Sequence, residues 1–248
     1  GPEPVRERGR EPEERVFRKP PVVPVFVAAG MPVADWVEPV AGAPGHFRTK
    51  GVGHEPDAAG AAHEMDLVPF YQVHERTYST YWDLVTPAEW TAQLAEYGRE
   101  AERQRTLEAA SVAFVTPGSQ ASEKPFHYQA GTGISPSFIT GRIGRAGRSW
   151  FSYDLPVEAG HPMALVATYY SADRRSSPAK FEILVDGSRV AEQAVERTDP
   201  GRFYDVSYAL PAGLVTGKST VTVKFQAAPG SQIAAVFGVR MVRADQQP

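Results

Sequence analysis

Apolar and polar positions alternate with three different rhythms along the chain. Residues 3–20, EPVRERGREPEERVFRKP, mix charges of both signs with prolines and show no apolar period, which predicts a linker or solvated tail. Residues 21–86 carry short apolar runs between turn residues and predict a small β segment. PVVPVFVAA (21–29) is its first strand, and Pro21 and Pro24, which lack ladder donors, place it at a sheet edge. HFRTK (46–50) is a short strand between the turns GAPG (42–45) and GVGHEPDAAGAA (51–62). LVPFYQV (67–73) and TYSTYWDLV (77–85) predict a hairpin. In its second arm Tyr78, Thr80, Trp82 and Leu84 alternate with Ser79, Tyr81, Asp83 and Val85, so both faces carry aromatics and call for cover on both sides.

The period then changes to that of a helix over 87–110. Thr86-Pro87-Ala88-Glu89 is a capping box with proline at the first helical position. Trp90, Leu94, Tyr97 and Ala101 form one apolar stripe, and Glu96–Arg99, Glu100–Arg103 and Glu102–Arg105 are ion pairs at three-residue spacing on the wet face. The stripe fades into Gln104, Arg105 and Glu108, which predicts docked first turns and a solvated strut beyond them.

From Val112 onward the rhythm is that of strands: VAFV (112–115), SWFSYDLPV (149–157), MALVATYY (163–170), KFEILVDG (180–187), RVAEQAV (189–195), RFYDVSYALP (202–211), STVTVKFQAA (219–228) and IAAVFGVRMVR (233–243). Asp186-Gly187 marks a hairpin turn. Short strands without crossover helices predict a mainly β chain. Its fold is an antiparallel, jelly-roll-like β-sandwich over 111–248, preceded by the small β segment of 21–86 and one long helix. GRIGRAGR (141–148) reads as a loop with surface arginines, the alternative being a clamp for phosphates or RNA through Arg142, Arg145 and Arg148.

Composition narrows the chemistry. The chain has no cysteine, which excludes a disulfide framework, thiolate catalysis and Cys-ligated zinc. A net charge of −3, with a mildly acidic first half and basic second half, points to neither nucleic acid nor an anionic membrane. No apolar run is long enough to span a bilayer as a helix. Gly1-Pro2 reads as the remnant of an engineered cleavage site, so residues 1–20 are taken as scar and linker.

LVPFYQVHERTYSTYW (67–82) resembles the segment after the catalytic barrel in β-L-arabinofuranosidase-type glycoside hydrolases of the family 127 kind. There a PFY.LH..RY..YW pattern recurs, matched here by Pro69, Phe70, Tyr71, His74, Arg76 or Thr77, Tyr78, Tyr81 and Trp82. SEKPFHYQAGTG, SWFSYDLPV, ATYYSAD, FEILVDG and FYDVSYALP resemble the sandwich that follows it in bacterial members, so the likeness extends over roughly 21–245. The resemblance implies a secreted parent enzyme acting on arabinose-containing glycans. Its (α/α)-barrel would carry a zinc-held cysteine nucleophile and a glutamate acid/base. No cysteine receives that role here, so no catalytic residue carries over, and this chain is expected to be a non-catalytic accessory region. Where the family often has tryptophan in the strand resembling ATYY, this chain has Tyr169 and Tyr170.

Other chemistries find weak support. The carboxylates predicted on strands, Asp83, Asp154, Glu182, Asp186 and Asp205, read as turn or solvated groups rather than a hydrolytic pair. His46, His54, His63 and His74, with Glu55, Glu64, Asp66 and Glu75, match no compact metal motif, and no metal ligand is assigned; a structural calcium in the sandwich, using loop carbonyls and a carboxylate, is an expectation the sequence does not place. Ser149 and Ser152 lie on a strand without a nucleophile motif. The sugar-facing candidates are Trp150, Asp154, Tyr169, Tyr170 and Tyr204, since sugar sites stack rings on aromatic faces and hold hydroxyls with polar neighbours. On 149–155, Phe151, Tyr153 and Leu155 are assigned to the core and Trp150 with Asp154 to the outer face. Two roles remain: bracing or shaping the absent catalytic barrel, which is favoured, or independent carbohydrate binding.

Overall fold

The computed structural model describes residues 24–28, 30–72, 82–171, 179–196 and 201–246. The chain divides into two compact units, Gly1–Tyr97 and Gly98–Pro248, the boundary falling inside the helix that the sequence sets apart as a connector.

The first unit has six short strands among its described residues: β1 (Val25–Val27), β2 (Val37–Pro39), β3 (Phe47–Thr49), β4 (Gly53–His54), β5 (Asp66–Leu67) and β6 (Leu84–Val85). They form two three-stranded sheets, ordered β4-β1-β6 and β2-β3-β5. β1 is therefore central, not an edge strand. Pro24 precedes it, and Val25, Phe26 and Val27 keep their N–H groups to pair antiparallel with β4 and parallel with β6. The expected hairpin does not form as drawn. Leu67 belongs to β5, which pairs with β3, while Phe70–Gln72 is a 3-10 turn behind Pro69. Tyr78 to Tyr81 lie outside the described residues. Leu84 and Val85 join β1 instead of LVPFYQV, and Trp82 stacks on Phe26 with ring centroids 5.4 Å apart.

The helix α1 (Pro87–Ala110) opens with the capping box. The Glu89 carboxylate accepts from the Thr86 N–H at 2.7 Å, and the Thr86 hydroxyl accepts from the Glu89 N–H at 3.2 Å. Trp90, Leu94 and Tyr97 pack with Val25, Val27 and Val85, the core of the first unit. Glu100–Arg103 and Glu102–Arg105 close at 2.8 Å. The last turns are not a solvated strut. Leu107 and Ala110 are buried against Ala164, Val166 and Val242 of the second unit. Two apolar residues at three-residue spacing dock them, a stripe masked by the charged residues around it.

The second unit is an antiparallel sandwich. Its strands are β7 (Ser111–Val115), β8 (Gln129–Ala130), β9 (Ile134–Ile139), β10 (Arg142–Gly147), β11 (Trp150–Pro156), β12 (Met163–Tyr170), β13 (Ala179–Val185), β14 (Ser188–Val195), β15 (Phe203–Ala209), β16 (Thr220–Ala227) and β17 (Ile233–Arg243). One sheet runs β15-β12-β17-β10-β9, with β7 also on β17; the other runs β14-β13-β16-β11-β8. The long β17 pairs with β12 along one edge, while β10 and β7 share its other edge. Every strand expected after Val112 is present. β8, β9 and β10 are additional, so GRIGRAGR is a paired strand rather than a loop. Its glycines let it lie close to β17: a Cβ at Gly144 would come 2.6 Å from the Val236 carbonyl. Asp186 and Gly187 turn from β13 to β14 with φ of 48° and 81°, the left-handed pair that a two-residue hairpin requires.

Phe151, Tyr153 and Leu155 fill the core as expected, together with Tyr169, Phe181 and Phe225. Phe151 stacks on Phe225 at 5.0 Å. Each such side chain contributes about 1.5–3 kcal/mol by burial. One end of the sandwich holds a buried ion pair. Glu123, at the end of the short helix α2 (Gln120–Glu123), accepts from Arg145 Nε at 2.5 Å and Nη2 at 2.6 Å. It also accepts from the Tyr153 hydroxyl at 2.7 Å and the Gly118 N–H at 2.9 Å. The Arg145 guanidinium lies 4.0 Å over the Tyr128 ring.

Candidate functional site

Strand alternation puts one set of side chains of the β17-containing sheet in the core and the opposite set outside. In register, Thr168 pairs with both Asp205 and Gly238, Tyr170 with Phe203, and Arg240 with Phe114. Their neighbours Ala167, Tyr169, Val239 and Met241 point inward and are buried. The outer face thus gathers Thr168, Asp205, Phe203, Arg240, Phe114 and Arg142. The last turns of α1 wall it with Glu100, Arg103, Gln104 and Leu107, enclosing a cleft of about 230 Å³. Gly238 shapes its floor: a Cβ there would come 2.9 Å from the Thr168 hydroxyl and 3.3 Å from the Phe114 ring.

Three arginines meet two carboxylates in this cleft. Arg103 is fully engaged. Its Nε and Nη2 donate to Glu100 at 2.8 Å each, and its Nη1 donates to Asp205 at 3.0 Å. That fork holds the Glu100 carboxyl down at about 2. Asp205 also accepts from the Thr168 hydroxyl at 2.6 Å. Arg142 and Arg240 are placed differently. The guanidinium carbon of each lies over a ring, that of Arg142 4.3 Å from the Phe203 centroid and that of Arg240 3.9 Å from the Phe114 centroid. Arg240 donates weakly to the Ser111 hydroxyl at 3.4 Å. Among the described residues neither guanidinium forms a salt bridge with a carboxylate. Burial lowers the pKa of both; the Asp205 charge partly offsets this at Arg142, and at Arg240 the Glu108 and Asp205 charges partly offset it, with Arg142 adding a smaller lowering. Among the described residues the cleft therefore presents two ring-stacked cations that no carboxylate bonds directly, beside two carboxylates held by Arg103 and a hydroxyl.

The aromatic and acidic positions singled out from the sequence do not form one patch. Trp150 and Asp154 lie on the outer face of the other sheet. There Lys224 sits 4.8 Å over the Trp150 ring, and Asp154 accepts from the Thr222 hydroxyl at 2.7 Å and pairs with His127 at 3.2 Å. Tyr169 is wholly buried, its hydroxyl 3.0 Å from that of Tyr208, so it offers no face to a ligand. Even-odd parity sends it inward and Tyr170 outward. Tyr170 packs on Phe203 at 4.8 Å, and half-buried Tyr204 packs on Tyr169 at 5.9 Å. The cleft residues Arg103, Phe114, Arg142, Thr168 and Arg240 were not singled out as sugar contacts. Their signal was there: Arg240 is a lone interior charge in the apolar run IAAVFGVRMVR, and Thr168 is the one hydroxyl before the tyrosines in MALVATYY.

The remaining motifs are engaged elsewhere. His54 contacts the Gly60 carbonyl at 3.1 Å, His63 pairs with Glu55, and Asp66 pairs with Arg48 at 2.7 Å. His74 and Glu75 lie outside the described residues. Among the described residues no three of His, Cys, Asp and Glu gather as a metal site. The arginines of GRIGRAGR diverge: Arg142 faces the cleft, Arg145 is held by Glu123, and Arg148 is exposed.

A comparison with curated protein sequences gives no match. Among solved structures the chain is similar to a family 35 carbohydrate-binding module from Clostridium thermocellum, at 11% identity over 53% of this chain and 99% of that one, with a TM-score of 0.40. It is similar to a family 36 carbohydrate-binding module in complex with calcium and xylotriose, at 14% identity over 52% of this chain and 99% of that one, TM-score 0.36. It is also similar to a family GH115 4-O-methyl-alpha-glucuronidase with specificity for decorated arabinogalactans, at 11% identity over 54% of this chain and 18% of that one, TM-score 0.39. A family model matches residues 106–242, covering the last turn of α1 and nearly all of the sandwich, and by that match the chain belongs to a family of unknown function, DUF6805.

Proposed function

We propose that this chain is a non-catalytic accessory region of a secreted carbohydrate-active enzyme, and that its sandwich holds a glycan in the cleft beside the last turns of α1. The observation that carries the reading is the outer sheet face itself. Aromatic rings, stacked guanidiniums, a hydroxyl and a carboxylate converge on a cleft of about 230 Å³, small for a binding pocket but enough for a single sugar residue or chain end. Phe114 is 40% exposed there, so the part of its ring that Arg240 does not cover is open to the apolar face of a sugar. The resemblance of residues 67–82 to arabinofuranosidase-type hydrolases supports an arabinose-containing glycan as the target. Screening the protein on an array of cell-wall polysaccharides, beside its Phe114→Ala variant, tests this. Binding that the variant weakens at least several-fold is expected; no binding to any polysaccharide would discard the reading.

A second reading, bracing a catalytic barrel, is favoured by the first unit. Of the ten large hydrophobic side chains exposed among the described residues, eight lie there, including Val33, Tyr71 and Leu84. A surface of that kind suits a protein partner. Sizing chromatography alone and with the barrel of the parent enzyme distinguishes the two roles: bracing requires a stable complex with the barrel.

A further inference from the structure

Resting on the glycan reading of the cleft, we propose that its ligand is an acidic sugar, a uronic acid residue whose carboxylate is held between Arg142 and Arg240. Each guanidinium carbon sits over a ring, 4.3 Å from the Phe203 centroid for Arg142 and 3.9 Å from the Phe114 centroid for Arg240, and among the described residues the one hydrogen bond from either is the long contact of Arg240 with Ser111. The planar fork of a guanidinium can receive a carboxylate through two parallel hydrogen bonds. Two like charges also face one cleft, and among the described residues no carboxylate is bonded to either; burial disfavours each, and the nearby carboxylate charges offset that only in part. An anion placed between them relieves both costs.

The remaining lining argues against a dianion and for a hydroxylated monoanion. Three arginines against Asp205 and Glu100 leave the cleft a net charge near +1, which matches a monoanion better than a phosphate of charge near −2. Arg103 and Thr168 already bond these carboxylates, yet a carboxylate has about four lone-pair sites, so each retains acceptor capacity for sugar hydroxyls. Arginine for the acid group, carboxylate oxygen for hydroxyls and a phenyl face for the ring together describe a uronic acid. A neutral pyranose would leave both cations unpaired.

Isothermal titration of the whole chain with trigalacturonate and with its carboxyl-reduced counterpart tests the inference. The acidic trisaccharide is expected to bind at least tenfold tighter. Arg142→Gln and Arg240→Gln should each remove most of that difference, Arg142→Lys should recover part of it, and Arg148→Gln, just past the end of β10 and outside the cleft, should leave it intact. Inorganic phosphate at millimolar concentration should not displace the acidic sugar. Equal affinity for the two trisaccharides overturns the acidic assignment, as does displacement by phosphate, while the glycan reading stands. If neither trisaccharide binds but the array shows a neutral polysaccharide held through Phe114, the acidic assignment again falls alone. If no glycan binds in either experiment, the underlying reading falls too.

Discussion

Glu123→Ala removes the centre of the buried ion pair and leaves three kinds of donor without a partner. Arg145, whose side chain is only 13% exposed, loses both of its charge-assisted bonds. The Tyr153 hydroxyl and the Gly118 N–H lose their acceptor as well. Breaking one side of a buried pair costs about 3–5 kcal/mol, and an orphaned buried donor about 1–3 kcal/mol. These contributions share one carboxylate and do not add, so the net loss is taken as about 4 kcal/mol. For a unit of this size that corresponds to a fall in Tm of roughly 8–16 °C. Urea denaturation followed by circular dichroism measures the loss, and calorimetry assigns it to the sandwich. Replacing both partners, Glu123→Leu with Arg145→Met, removes the uncompensated charge and should recover at least half of it. A single-variant loss below about 1 kcal/mol, the level of an exposed pair, would refute the reasoning, as would a double variant less stable than Glu123→Ala.

Three further outcomes are expected. Gly238→Val drives side-chain atoms into the Thr168 hydroxyl and the Phe114 ring, so polysaccharide binding should fall at least tenfold with little change in the circular dichroism spectrum. Thr86→Ala opens the capping box and should destabilise the first unit by about 1 kcal/mol in urea, which Thr86→Ser largely restores. Glu100 is held at about 2 in the folded chain against 4.5 when free, a lowered carboxyl; its contribution is complete above about pH 4.5 and is lost as the pH falls towards 2. Because that pair is half-exposed the contribution is under about 1 kcal/mol, and Glu100→Gln should flatten the stability-against-pH curve in that window and nowhere else.

What the sequence disclosed depended on how far each signal reached along the chain. Local signals were reliable. The Thr86 capping box, the Asp186-Gly187 turn and the alternation of Phe151, Tyr153 and Leu155 each depend on a few adjacent residues, and each appears in the structure. The strand Arg142–Gly147 was hidden because its glycines and arginines oppose strand propensity; partners on both sides, β9 and β17, hold it. The docked end of α1 was hidden because its apolar contact needs only Leu107 and Ala110. The cleft was least legible. It draws on residues from 100 to 240, brought together by strand pairings between segments distant in sequence, and its cations read singly as surface charges. The aromatic residues that looked most like a sugar platform are divided between two outer faces and the core.

The pairing of β7 with β17 has a consequence for how the protein is made. Among the described residues, 111–115 find their sheet partner in residues 239–242 alone, so the first strand of the sandwich must wait for the last. At about 5–20 residues per second, the ribosome delivers that partner on the order of ten seconds later. Through that interval β12 can pair with β15 on one side, but its other edge, which meets β17 along nearly its whole length, stays open. Closure of the sandwich is thus a late, long-range event in biosynthesis. The nascent chain carries an adhesive, half-built sheet until then, and it is during this period that chaperone binding or aggregation would decide the yield.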